Sequence, residues 1–207
     1  MPTRTRLDTE KRREQLVEVG LALFGNQPYD QVSLDEIAYE AGVSRSLIYH
    51  YFSDKRMVYL AVLRAVAEQM LAATRTDLNK PAVERLYEGL GAHLDFAEKY
   101  STGYIALMSG GNGNDEEVRA LCESYRWEGL EEIVRSLQIV DPAPALRIAL
   151  RGWVGFQEGA ILQWLKQRDP DRQELLDLLA AALGAALDLG GFRGAVQLSP
   201  TGSRTRV

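Results

Sequence analysis

The sequence predicts an all-α protein built from a small three-helix module followed by a larger helical one. Three observations carry this. Apolar residues recur at helical spacing throughout, and no segment alternates apolar and polar residues over strand length. Two serine-led helix starts, separated by a glycine, lie within the twenty residues from Ser33 to Phe52. The chain is 207 residues long and 46% hydrophobic, enough for one small domain plus a larger one with its own core.

The first helix is expected from Asp8 or Thr9 to Phe24, where Leu16, Val17, Val19, Ala22, Leu23 and Phe24 supply an inward face and Gly25-Asn26 a stop. The second opens at Ser33, whose hydroxyl can cap free N–H groups while Glu36 reaches back to complete a capping box. Gly42 closes it in the left-handed conformation. The third opens at Ser44, buries Leu47, Ile48, Tyr51 and Phe52, and keeps Arg45, Ser46, Tyr49 and His50 on its outer face. Ser53 and Asp54 offer a cap for a long fourth helix reaching Asp77. Further helices are expected over 81–100, 103–108, 115–137, 142–166 and 170–189, three of them opened by proline. The domain expectation is therefore 1–53, 54–189, and a flexible tail of Gly, Ser, Thr and Arg over 190–207.

Composition excludes several classes. The longest stretch without charge, Tyr100 to Asn114, holds four glycines and is too short and polar to span a bilayer, so no membrane partner is expected. The basic N-terminus is followed by no apolar signal core, which leads to an expected cytoplasmic location. Cys122 is the only cysteine, so neither an internal disulfide nor a multi-cysteine metal site can form. The net charge of −5 looks unfavourable for a DNA-binding chain, but the acid lies mainly elsewhere. Residues 1–60 hold eight Lys/Arg against nine Asp/Glu, and Arg45, Lys55 and Arg56 flank the outer face of the third helix.

Ser33 to Phe52 meets the requirements of a helix-turn-helix: two short helices, a tight glycine turn, and a second helix whose N-terminal half can meet base edges. Ser33 and Ser44 add hydroxyls to the free N–H groups that position phosphate. Arg45, Ser46, Tyr49 and His50 are left for base edges, Arg45 being able to grip guanine through two hydrogen bonds. Blander readings stand beside these. The serines are helix caps in any case, and Tyr49 can simply pack on its own helix. His50 as a metal ligand would need a cluster, yet His93 is the only other histidine. Cys122 reads as a small packing residue, and Gly110 to Asn114 as a loop capping the next helix rather than a phosphate loop.

Through Ser33-Leu-Asp-Glu-Ile-Ala, the run Ala41-Gly-Val-Ser-Arg-Ser-Leu-Ile-Tyr-His-Tyr-Phe52, and Asp54-Lys55, residues 9–60 resemble the TetR-type family of bacterial transcriptional regulators. The resemblance implies that Tyr49, Tyr51 and Lys55 contact phosphate while Arg45, Ser46 and His50 face the major groove. Ser46-Leu47 departs from the small residue and threonine usual there, so an operator sequence does not carry over. Arg56 stands where an acidic residue is common, and reads equally as a phosphate contact or a solvated charge.

The resemblance also implies that the remainder binds a ligand and dimerises. The 142–166 and 170–189 helices are apolar almost all round, as helices buried on two sides are. Leu150, Val154, Ile161, Leu179, Leu183 and Ala186 are the expected interface of a homodimer formed as a four-helix bundle. Two recognition helices about 34 Å apart would then read a near-palindrome in double-stranded DNA. Phe96, Tyr100, Tyr104, Met108, Tyr125, Trp127, Trp153, Phe156 and Gln157 are candidates to line a pocket for an unidentified small-molecule effector, with His93, Arg126 and Glu158 as further polar groups. Ordinary core is the equal alternative for each aromatic. The functional expectation is a ligand-responsive regulator, most simply a repressor that ligand releases from DNA, with the reverse sign, ligand promoting DNA binding, equally open to the sequence, and with no cofactor and no catalytic residue. Two other classes remain at this point: a helical protein-interaction scaffold that does not bind DNA, and an enzyme, for which no constellation of catalytic residues is present.

Overall fold

A computed structural model describes residues 4–108 and 115–192. Among these residues the order is α1 (Arg4–Phe24), α2 (Leu34–Glu40), α3 (Arg45–Tyr51), α4 (Lys55–Thr74), α5 (Ala82–Lys99), α6 (Ser101–Met108), α7 (Glu116–Ser136), α8 (Pro144–Gln167) and α9 (Arg172–Leu189). The glycine run Gly110 to Gly113, Asn114, and most of the expected tail lie outside the described residues. The chain divides into two compact units, Met1–Gln69 with Lys99–Cys122, and Met70–Glu98 with Glu123–Val207. Helices α4 and α7 each run from one unit into the other.

In the first unit the helix starts follow the capping chemistry. Ser33 Oγ accepts the Glu36 N–H at 3.0 Å, and Ser44 Oγ accepts the Leu47 N–H at 3.3 Å. The capping box is only half formed, because the Glu36 carboxylate accepts instead from Gln27 Nε2 at 3.1 Å, tying α2 to the end of α1. Asp54 caps α4 through the Met57 N–H at 2.9 Å. Gly42 has φ +64°, the left-handed turn between α2 and α3 that a Cβ would strain. At Gly20 a Cβ would sit 2.7 Å from Val62 Cγ2, so the glycine lets α1 approach α4. Leu16, Ile37, Ile48 and Val58 are fully enclosed, each contributing roughly 1.5–3 kcal/mol of burial. Phe24, Tyr29 and Tyr59 form a ring cluster beside them, with centroids 4.8–6.0 Å apart.

Helix α4 is long and apolar enough to cross a bilayer by length and composition alone. Its apolar residues Val58, Leu60, Val62, Leu63, Val66 and Met70 are buried in the protein instead.

In the second unit α8 and α9 pair along their length. Trp153 Nε1 donates to the Leu179 carbonyl at 3.0 Å, and Trp164 Nε1 to the Pro170 carbonyl at 2.7 Å. Both indole donors are thereby satisfied inside the fold. None of the three prolines expected to open helices is itself the first helical residue: α5 begins at Ala82, directly after Pro81, α8 at Pro144, two residues after Pro142, and α9 at Arg172, after the side-chain cap of Asp171. At α9 the Asp171 side chain accepts the Glu174 N–H, and that acceptor for a free N–H group fixes the start beyond Pro170; α8 has no side-chain cap and starts with Pro144 in its first turn.

Candidate functional site

The outer face of α3 gathers the residues expected to meet DNA. Ser44, Arg45, Ser46, Tyr49 and His50 are all exposed, while Tyr51 is half-buried. Ser44 and Ser46 share a hydroxyl hydrogen bond of 2.8 Å. Arg45 donates to Asp35 on α2 at 2.8 Å and to the Tyr49 hydroxyl at 3.2 Å, and its guanidinium lies over the Tyr49 ring. The guanidinium is thus held in the plane between the two helices rather than swinging free. The hydrogen bond to Tyr49, followed by the charge of Asp35, pushes Arg45 further toward its charged form. His50 packs edge-on against Tyr51 at 5.1 Å.

Two neighbouring cations are less free. Lys55 Nζ donates to the Val32 carbonyl at 2.7 Å and lies 4.3 Å over the Tyr29 ring, so it staples the start of α4 to the segment before α2. One of its three ammonium protons is spent inside the chain. Arg56 is engaged within the chain. It makes a bidentate pair with Asp115, at 2.5 and 2.8 Å, and a further bond of 3.0 Å to Glu117, which Arg64 also contacts at 3.2 Å. The same Asp115 caps α7 through the Glu117 and Val118 N–H groups. Its carboxyl is drawn down to about 2 chiefly by the Arg56 hydrogen bond.

The second unit contains a cavity of about 100 Å³ between α5, α7 and α8. Of the nine expected pocket residues it brings together Tyr125, Trp153 and Gln157, and it adds His93, Arg126 and Glu158. The other six do not line it. Phe96, Tyr104 and Met108 are buried elsewhere in the core, Tyr100 is half-buried at the end of α5, and Trp127 and Phe156 are 45% and 44% exposed. The aromatic set was chosen by residue type, and type alone does not say which way a ring on a broad apolar helix turns. Gln157 Nε2 meets His93 Nδ1 at 3.2 Å, and burial pushes the imidazole down to about 4, so it is neutral. Arg126 Nε reaches both Glu158 oxygens at 3.0 and 2.9 Å. Burial raises the Glu158 carboxyl while Arg126 opposes that rise.

Sequence reasoning missed Arg85, Gly89 and Leu90, which also line the cavity. A signal was available: Arg85, Gly89 and His93 fall at i, i+4 and i+8, one row along α5, so a cation and an imidazole interrupt its apolar face. Among the described residues no group of three or more His, Cys, Asp or Glu is placed to hold a metal.

The residues expected at a dimer interface, Leu150, Val154, Ile161, Leu179, Leu183 and Ala186, are each at most 8% exposed within the single chain. The apolar side chains that α8 and α9 leave outside are Ile148, Phe156, Leu178 and Leu189.

A capped helix pair with a left-handed glycine turn and an exposed Arg, Ser, Tyr and His face, joined to a helical unit enclosing a cavity, defines a helix-turn-helix regulator of transcription. Residues 16–62 match a family model described as bacterial regulatory proteins, tetR family, and residues 82–185 match the tetracyclin repressor-like C-terminal domain. The chain belongs to the TetR family of transcriptional regulators. It is 34% identical over 152 residues to the regulator BetI of Agrobacterium fabrum, covering 67% of this chain and 69% of that one. It is 32% identical over 117 residues to the transcriptional activator FasR of Mycolicibacterium smegmatis, a match spanning 56% of this chain and only about half, 53%, of that protein. Among solved structures, a tetR-family regulator from Streptomyces coelicolor superimposes with a TM-score of 0.78 at 32% identity, over 88% of this chain and 86% of that one.

Proposed function

We propose that the protein binds a near-palindromic operator as a homodimer and acts as a repressor that a small molecule, bound between α5, α7 and α8, releases from DNA. The observation that carries the ligand reading is the cavity itself: apolar walls with a neutral His93, Gln157 and an Arg126–Glu158 pair set into them. An apolar pocket with a few convergent polar groups is the usual form of a small-molecule site. Leu71 and Thr74, in the last turns of α4, form part of its wall. α4 is the helix whose N-terminus follows the recognition helix after Phe52, Ser53 and Asp54. A ligand that widens the void therefore pushes directly on the element that carries α3.

At the DNA face, the N-terminus of α3 with Ser44, the ring of Tyr49, Tyr51, Lys55, and Ser33 at the start of α2 contact phosphate, and Arg45, Ser46 and His50 meet base edges. The self-association surface is the outer face of α8 and α9, where exposed Ile148 and Phe156 share α8 with Gly152, Gly155 and Gly159, at which an added Cβ meets nothing closer than 4 Å. Such a glycine strip allows close helix approach across a twofold axis.

The test is fluorescence anisotropy of the protein on an operator selected from random duplexes. Binding should weaken steeply with salt, as counterion release requires, and the selected site should be a near-palindrome occupied by two chains. Salt-insensitive binding, or a stoichiometry of one chain per site, would overturn the reading. Gly155→Arg should yield monomers in light scattering and abolish binding with the fold intact.

A further inference from the structure

We infer that the ligand of this cavity is an elongated organic acid whose carboxylate binds at the Arg85 end. The inference rests on the cavity being the effector site and names the chemistry that the site selects.

The lining of the cavity follows α5. Arg85 reaches the Ser136 carbonyl at the end of α7, whereas His93, two turns further along α5, meets Gln157 of α8. Eight residues of α5 separate these two ends, about 12 Å at 1.5 Å per residue. Between them the walls are apolar, from Leu86, Leu90, Ile133 and Val154, with Gly89 and Gly129 adding no side chain to the lining. That span suits an extended apolar chain of about ten carbons. At about 100 Å³ the cavity holds only a few heavy atoms as it stands, well below the roughly 300–1,000 Å³ typical of ligand pockets, so such a ligand must part the walls as it enters.

The two ends differ in charge. At the His93 end the polar groups are already balanced: a neutral imidazole on Gln157, and Glu158 paired with Arg126. At the other end Arg85 is 6% exposed, and its hydrogen bonds run to three backbone carbonyls, those of Leu78, Lys80 and Ser136, with no carboxylate among them. Its Nε is enclosed and has no hydrogen-bond partner. Glu132, which lines the same wall, is taken by Arg135. Thr76 and Ser136, joined hydroxyl to hydroxyl at 3.3 Å, stand on the cavity beside it. A buried guanidinium with a spare N–H and two hydroxyls nearby favours an anion, and the Nε edge of arginine accepts a planar carboxylate. Carbonyl dipoles at the end of α7 offset part of the Arg85 charge but leave that N–H unmet. Parting the walls to admit the ligand exposes it.

The simplest competing role for Arg85 is a staple that joins the segment before α5 to the end of α7. The two roles separate in the ratio of affinities for an acid and its alcohol. Titration of the full-length protein with decanoate and decan-1-ol, followed by tryptophan fluorescence and calorimetry, should give decanoate an advantage of about tenfold or more. Arg85→Gln should abolish that ratio, and Arg85→Lys should keep part of it. If Arg85→Gln does not fold, Ser136→Ala, which retains the carbonyl that Arg85 uses, should reduce the ratio. Equal affinities in the unmodified protein, a ratio untouched by these variants, or no decanoate binding would overturn the inference. Acid-selective binding that leaves operator affinity unchanged would count against the regulatory reading alone.

Discussion

The recognition unit and the cavity present polar side chains under opposite conditions. On α3 they stand in water, and their partners are near in sequence: Ser44 with the Leu47 N–H, Arg45 with Tyr49 and, ten positions back on α2, with Asp35. In the cavity they are enclosed, and their partners come from other helices: His93 with Gln157 over 64 positions, Arg126 with Glu158 over 32. Exposed polar groups lose little when moved, so their arrangement is set by local caps and turns. Buried ones must be matched across the fold, because an unmatched group costs about 1–3 kcal/mol or more. The same difference decides how mutation, acid and ligand should act on the two regions.

The largest effect should come from the packing beneath the exposed face. Ile48 is fully enclosed under α3, and Ile48→Ala should cost about 2–5 kcal/mol in urea unfolding, with loss of operator binding. If the variant keeps its stability, the unit is not held by this core and the contrast fails.

Next comes acid, which should act on the cavity. With the Gln157 amide donating, His93 Nδ1 accepts, so the ring is neutral in the fold. Its pKa is lowered from 6.5 to about 4 by burial. A depressed folded value means that the stabilisation is fully present above the unfolded value and is lost as pH falls from about 6.5 to about 4, where the unfolded chain takes up a proton and the fold does not. The full loss is on the order of 3 kcal/mol. His93→Gln should flatten the fall in urea midpoint between pH 7 and pH 4.5 relative to the unmodified protein. Asp115, lowered to about 2, acts only below that window.

A smaller effect is expected where the two conditions meet. Lys55 is at the DNA face but is bonded inward to Val32 and Tyr29. Lys55→Ala should lose about 1–2 kcal/mol of stability and weaken binding to all operators alike, whereas Tyr49→Ala should weaken binding with stability nearly intact. Paired melting and anisotropy measurements separate the two.

The contrast also explains what was legible in the sequence. Ser33, Gly42, Ser44 and Asp54 announce their helix boundaries because capping chemistry is local, and every expected helix corresponds to one in the structure, most with ends shifted by one to three residues. Arg85 gave no comparable sign, since its partners Leu78, Lys80 and Ser136 are backbone carbonyls that any residue could supply. Leu150 and Leu183 are buried within the single chain, and the breadth of an apolar helix records burial without recording whose surface does the burying. Phe156 and Trp127 mark the same limit from the other side.

The smallest effect on stability is expected at the pair that most affects readout. Arg45 and Asp35 are 2.8 Å apart with side chains 53% and 66% exposed. A pair so exposed contributes little to stability, and Asp35→Asn should leave the melting temperature nearly unchanged. The carboxylate nevertheless competes with a guanine edge for the same guanidinium face while holding it against Tyr49. Releasing it should change which bases Arg45 reaches without changing how tightly the backbone is held. Selection from a duplex library should therefore return a shifted base preference at the Arg45 position for Asp35→Asn, with an unaltered salt slope. An unchanged consensus would mean that Asp35 only balances charge, and that the α3 face reads DNA without help from α2.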